Sequence, residues 1–122
     1  MLGIEKGQKQ EMHHQQGRNF CFFDAPVGMI FTIDRVMEIG SWLDYGTFLQ
    51  NIMILAQSHG LNTCPQAAWA NYHSVIRELF EVSQDEVVVC GMALGYKDEH
   101  EIINTFQPNR EPVASFTKFI DE

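Results

Sequence analysis

Two short stretches hold the residues best suited to chemistry. Thr63-Cys64-Pro65-Gln66-Ala67-Ala68 joins two predicted elements, and its side chains past Gln66 are small. Small side chains leave backbone N–H groups accessible to a planar heteroaromatic ring. Asn109-Arg110 places a cation in a loop stiffened by Pro108 and Pro112, an arrangement suited to a phosphate. Each stretch also has an ordinary reading, as a tight turn and as a solvated arginine. No nucleophile–base set accompanies them: G-x-S-x-G, H-E-x-x-H, the Walker loop and G-x-G-x-x-G are all missing from the sequence. His59 and His73 fall at helical positions, where a surface or hydrogen-bonded imidazole is the ordinary role. His13 and His14 are adjacent and complete no ligand set, and Cys21, Cys64 and Cys90 form no C-x-x-C pair, so no metal site is expected. Chemistry carried out by this chain would rest on a bound cofactor.

The elements that must hold these stretches are legible from periodicity. Residues 41–60 read as one long helix, with Ser41 as a cap, Asp44 in the first turn and Gly60 as its stop. Trp42, Tyr45, Phe48, Leu49, Ile52, Met53, Leu55 and Ala56 form a broad apolar arc. Leu43 and Ile54 stand apart on the polar face. An arc plus a second stripe predicts two contacts, the helix's own core and something else, of which a partner subunit is the simplest. The alternative is a helix buried on all sides, which is harder to achieve in so small a domain. Asp44, Gln50 and Asn51 exclude a membrane span.

Residues 27–35 alternate as a strand, with Val27, Met29, Phe31 and Ile33 on one face. Before it, Phe20, Phe22 and Phe23 form an aromatic knot, and Asp24-Ala25-Pro26 breaks any helix. Pro65 bars residues 61–68 from being a central strand throughout. Residues 69–80 read as an amphipathic helix burying Trp69, Tyr72, Val75, Ile76, Leu79 and Phe80. Residues 87–96 are apolar on both faces and predict a strand at the centre of a sheet. Its Gly91, Ala93 and Gly95 face is nearly bare, open to a closely packed helix or to a flat ligand. Phe116, Phe119 and Ile120 make the tail apolar, so it needs a surface to dock on.

At 122 residues, 45% of them hydrophobic and nine of them Phe, the chain is expected to form a single cored domain over residues 19–122. Residues 1–18 read as a polar remnant, a loop or a frayed helix, with no apolar signal segment. A net charge of −8 argues against nucleic acid as a partner. Three widely spaced cysteines fit reduced thiols and a cytoplasmic location.

Phe23-Asp24-Ala25-Pro26, Asp44-Tyr45-Gly46, Gly60-Leu61, Thr63-Cys64-Pro65-Gln66-Ala67-Ala68, Gly91-Met92-Ala93-Leu94-Gly95-Tyr96 and Asn109-Arg110-Glu111-Pro112 occur in this order. As an ordered set, from about Asn19 onward, they resemble the C-terminal part of the nitroreductase family of flavin-dependent oxidoreductases, in particular its nitrobenzoate-reductase-like branch. The resemblance implies an α+β, antiparallel-sheet fold, N-terminally truncated. It implies a homodimer built on the long central helix, with residues 112–122 wrapped on the partner. It further implies FMN at the subunit interface, beside Pro65, Gln66, Ala67 and Ala68, with Arg110 at the position of a phosphate-binding arginine. The implied activity is transfer of hydride from NAD(P)H through FMN to a nitroaromatic or quinone, with no acid or base from the protein at the hydride step. Family members carry an N-terminal Arg-Ser-x-Arg type motif that this chain lacks, which leaves a flavin-free, non-catalytic dimeric relic as the alternative. A third possibility is a small-molecule binding module on the Gly91/Ala93/Gly95 face.

Overall fold

The computed structural model describes residues 2–120. The polar start is a helix, α1 (Lys9–Gly17), which buries no residue. It runs into a 3-10 segment, Arg18–Asp24, whose last three residues, Phe22, Phe23 and Asp24, take φ of 51°, 53° and 63°. A left-handed run of non-glycine residues is strained and persists only where packing enforces it. Here it swings the Phe22 ring over β1 (Val27–Asp34), where a Cβ on Gly28 would lie 2.4 Å from that ring.

Helix α2 spans Ile39–Ser58. It begins two residues before the expected Ser41, because Glu38 is extended and occupies the cap position. Ser41 therefore lies inside the helix and does not cap it, and Asp44 falls beyond the first turn. Gly60 ends the helical path as expected, with a φ of 72°. β2 (Asn62–Gln66) follows. Next come a 3-10 segment, Ala67–Tyr72, and helix α3 (His73–Phe80), where one continuous helix over 69–80 was expected. α3 buries only Ile76 and leaves Val75, Leu79 and Phe80 exposed, as is Tyr72 at the end of the 3-10 segment, so most of the expected buried arc faces outward.

β3 (Glu86–Gly95) is the centre of a three-stranded sheet of order β1-β3-β2, antiparallel on both sides. Its central place agrees with its two apolar faces, and Val88, Cys90, Met92 and Ala93 are buried. The register with β1 shifts between Phe31 and Thr32: Phe31 stands opposite Cys90, and Thr32 opposite Val88. The extra residue on β3, Val89, is a bulge that moves Val87 to the side of Ile33, so the alternation predicted along 87–96 is broken there. Arg35 and Arg77 hold the turn that enters β3. Arg35 Nε donates to the Gln84 carbonyl at 3.2 Å, and the Arg77 guanidinium donates to the carbonyls of Ser83 and Glu86.

The two faces of the sheet are covered differently. α2 lies against the Phe31 face, with Phe31 and Phe48 edge to face at 6.4 Å. The Tyr45 hydroxyl donates to the Thr32 carbonyl at 2.9 Å. The opposite, small-residue face carries Phe22 and Trp69, stacked at 4.6 Å. After β3 the chain makes a 3-10 segment, Ile102–Thr105, and one helical turn, α4 (Val113–Phe116). Phe116, Phe119 and Ile120 are exposed. The last two residues of the tail expected to wrap on a partner, Asp121 and Glu122, lie outside the described residues, as does Met1.

Candidate functional site

Pro65, Gln66, Ala67 and Ala68 straddle the point where edge strand β2 becomes a 3-10 segment. A proline is tolerated in this strand because, among the described residues, β2 has a partner on one side only. Pro65 and Ala67 are exposed, Ala68 is half-buried and Gln66 is buried. Gln66 Nε2 donates to the Asn19 carbonyl at 2.9 Å. Its Oε1 and the nearby indole nitrogen of Trp69 are both buried without a partner. Cys64, beside Pro65, has its thiol pKa pushed up by burial, so it is not an activated nucleophile.

Trp69 decides what covers the bare face of β3. A Cβ on Gly91 would lie 2.2 Å from the Trp69 ring, and one on Gly95 would lie 2.8 Å from Pro26. The flat group against this strand is thus the chain's own indole, which Phe20 meets edge to face at 5.3 Å. It comes from a 3-10 segment rather than from a packed helix. That leaves no bare strand surface at Gly91 for a separate small molecule.

Arg110 is not tied to this group. Its Nη1 donates to the Pro108 carbonyl at 3.1 Å, and the side chain is exposed. Among the described residues, the hydrogen bonds of residues 101–120 stay within residues 98–120. Asn19 and Trp69 are the site residues that sequence patterns did not single out. The one signal for Trp69 was the row of small residues on β3, which requires something flat above it.

α2 presents a second surface. Tyr45, Leu49, Ile52, Met53 and Ala56 are half-buried toward the sheet. Trp42, Phe48 and Leu55 of the expected core arc are exposed, together with Leu43 at 69% and Ile54 at 56%. The uncovered apolar surface is therefore wider than the Leu43/Ile54 stripe alone. Tyr45 has its pKa pushed up to about 12, first by burial and then by the nearby Cys90 and Glu86. Among the described residues no helix is long and apolar enough to cross a membrane.

This helix-flanked antiparallel sheet, with a small-residue strand-to-turn junction at its edge, is an α+β fold of the nitroreductase type. The profile described as the nitroreductase family matches residues 2–96, and the chain belongs to that family. The match takes in α1, which the motif set starting near Asn19 left out, and stops before Asn109-Arg110. The chain is 48% identical to a 4-nitrobenzoate reductase of Pseudomonas putida, across 85% of this chain and 46% of that protein. It is 41% identical to a nitrobenzene nitroreductase of Ectopseudomonas oleovorans, across 99% of this chain and 53% of that protein. Among solved structures it resembles the FMN and NADPH-dependent nitroreductase NfnB from sphigopyxis sp. strain HMH. There the TM-score is 0.94 at 30% identity, covering 99% of this chain and 54% of that one. The chain thus spans about half the length of the relatives it matches.

Proposed function

We propose that this chain forms part of an FMN-dependent nitroreductase acting on nitroaromatics or quinones with NAD(P)H. The observation that carries the proposal is the 48% identity to a 4-nitrobenzoate reductase over 85% of the chain, which includes the edge-strand junction. The residues present fit the ring end of FMN. Exposed Pro65 and Ala67 offer a low surface at the sheet edge, with Gln66 anchored behind them. At the phosphate end Arg110 is the candidate cation. When bound, FMN supplies the capacity to accept hydride from NAD(P)H and deliver it to the substrate. The protein's part is to hold and orient the ring, which agrees with a sequence lacking a nucleophile–base set.

The apolar α2 surface supports a homodimer, with Leu43, Ile54 and Leu55 against a second copy and the 112–122 tail docked on it. The free thiols of Cys21, Cys64 and Cys90 support a cytoplasmic setting. A second reading, a dimer of the same fold that binds no flavin, is favoured by Arg110, whose side chain donates only to the Pro108 carbonyl of its own loop among the described residues.

The test is the visible absorption spectrum of the purified protein, before and after adding excess FMN and desalting. A retained flavin band, followed by NADH- or NADPH-dependent reduction of a nitroaromatic, is the expected result. A protein that keeps no flavin supports the second reading. Arg110→Ala is expected to weaken FMN binding, and unchanged affinity would rule Arg110 out as the phosphate anchor.

A further inference from the structure

Glutamine is mostly a surface residue, and a buried one brings two donors and an acceptor oxygen that need partners. Gln66 is the one buried polar residue among the described residues, at 3% exposure. It ends β2 in an extended conformation, φ −134° and ψ 91°, between exposed Pro65 and Ala67. Successive side chains of an extended chain point to opposite sides, so turning Gln66 inward turns its neighbours outward. The inward side chain is tied to a distant part of the sequence: Nε2 donates to the carbonyl of Asn19, 47 residues earlier, at 2.9 Å.

The other end of the same amide is unpaired, and so is the indole N–H of Trp69. One is an acceptor and the other a donor. Gln66 stands opposite Gly91 in the β2–β3 ladder, and Trp69 Nε1 lies 2.6 Å from where a Gly91 Cβ would be.

We infer that Gln66 is a positioning residue. Its amide, tied to the Asn19 carbonyl, fixes the outward presentation of Pro65 and Ala67 to a flavin ring. The inference rests on the flavin proposal above, but Gln66 acts from behind the segment and does not touch the cofactor.

Two variants and two readouts test it. Gln66→Leu keeps the bulk and removes both polar ends. Gln66→Glu keeps the shape; its carboxylate has no hydrogen for Asn19, whereas the neutral acid, favoured in a buried site at about pH 6, donates an O–H there. Flavin fluorescence quenching, referred to wild type at the same pH, is expected to show FMN bound about tenfold more weakly by Gln66→Leu at both pH values. Gln66→Glu should be weakened about tenfold at about pH 8 and recover to within about twofold at about pH 6. If both variants are folded by circular dichroism and bind like wild type at the higher pH, the inference is overturned. Should Gln66→Leu fail to fold, the pH-dependent recovery within the single Gln66→Glu chain decides.

Should wild type bind no FMN, the flavin proposal falls alone, and amide hydrogen exchange at Ala67 and Ala68 tests the positioning role. Exchange about tenfold faster in Gln66→Glu at the higher pH, corrected for intrinsic rates and reversed at the lower, supports it. Equal exchange in wild type and variant overturns it.

Discussion

The small-residue face of the sheet and the outer face of α2 are both apolar, yet one is closed by its own chain and the other is not. At Gly91 the Trp69 ring approaches so closely that not even a methyl group fits between them. Along α2, Leu43, Ile54 and Leu55 face solvent, and the twenty-residue helix buries no residue fully. Bulk hydrophobicity does not separate the two regions. Shape does: glycines recessed against indole and phenyl rings leave nothing for a second molecule to fill, whereas a row of protruding aliphatic side chains calls for a complementary surface.

That contrast can be broken most directly at the closed face. Trp69→Ala removes the ring covering Gly91 and is expected to cost about 3 kcal/mol of folding stability, read from urea unfolding. A loss near zero would mean that the face is not closed by Trp69. Gly91→Ala makes the opposite fault, an overfilled contact, and is expected to cost about 1–3 kcal/mol. The neighbouring β-ladder should remain intact by hydrogen exchange.

On the other side of the sheet, Tyr45→Phe deletes the hydroxyl that donates to Thr32 and is expected to cost about 1 kcal/mol. The sign of its pH dependence follows from burial. Tyr45 ionises near 10 when unfolded and at about 12 when folded. The folded state therefore keeps the proton longer, and the stability linked to it, full below pH 10, is lost as pH rises toward 12. Wild type should lose stability across that window faster than Tyr45→Phe, and parallel curves would show that the hydroxyl is solvated. The smallest effect on the folded monomer is expected at the open face. Leu43→Glu with Ile54→Glu should change the monomer's own stability by no more than about 0.5 kcal/mol. It should nevertheless convert a dimeric mass in sedimentation to a monomeric one. A wild-type chain that already sediments as a monomer would refute the assembly proposed for α2.

What could be read in advance follows the range of the forces involved. β3 was legible because a strand buried on both faces must be apolar on both, and α2 because its period persists over many turns. The start of α2 was not, since Glu38 takes the cap position through its backbone and no side-chain cap marks it. The 3-10 segment Ala67–Tyr72 replaced the first turns of an expected helix because Trp69 must reach Gly91 on another strand. Pro65 through Ala68 stood out by their place between two elements, by the small residues past Gln66 and by the family resemblance, but the inward turn of Gln66 depends on Asn19, 47 residues away. No local window contains that information. The three left-handed residues ending at Asp24 were equally hidden, because tertiary packing and not propensity selects them.

The sheet order has a consequence for synthesis. Among the described residues β1 and β2 do not pair with each other; each pairs with β3, the last of the three to be made. While residues 27–85 emerge from the ribosome, β1 and β2 are still without β3, the strand that both pair with among the described residues. The β1–β3 and β2–β3 ladders are complete only once Gly95, the end of β3, has cleared the exit tunnel. Until that moment the nascent chain displays strand edges and aliphatic rows together, which makes it a natural client for chaperones that bind extended apolar segments.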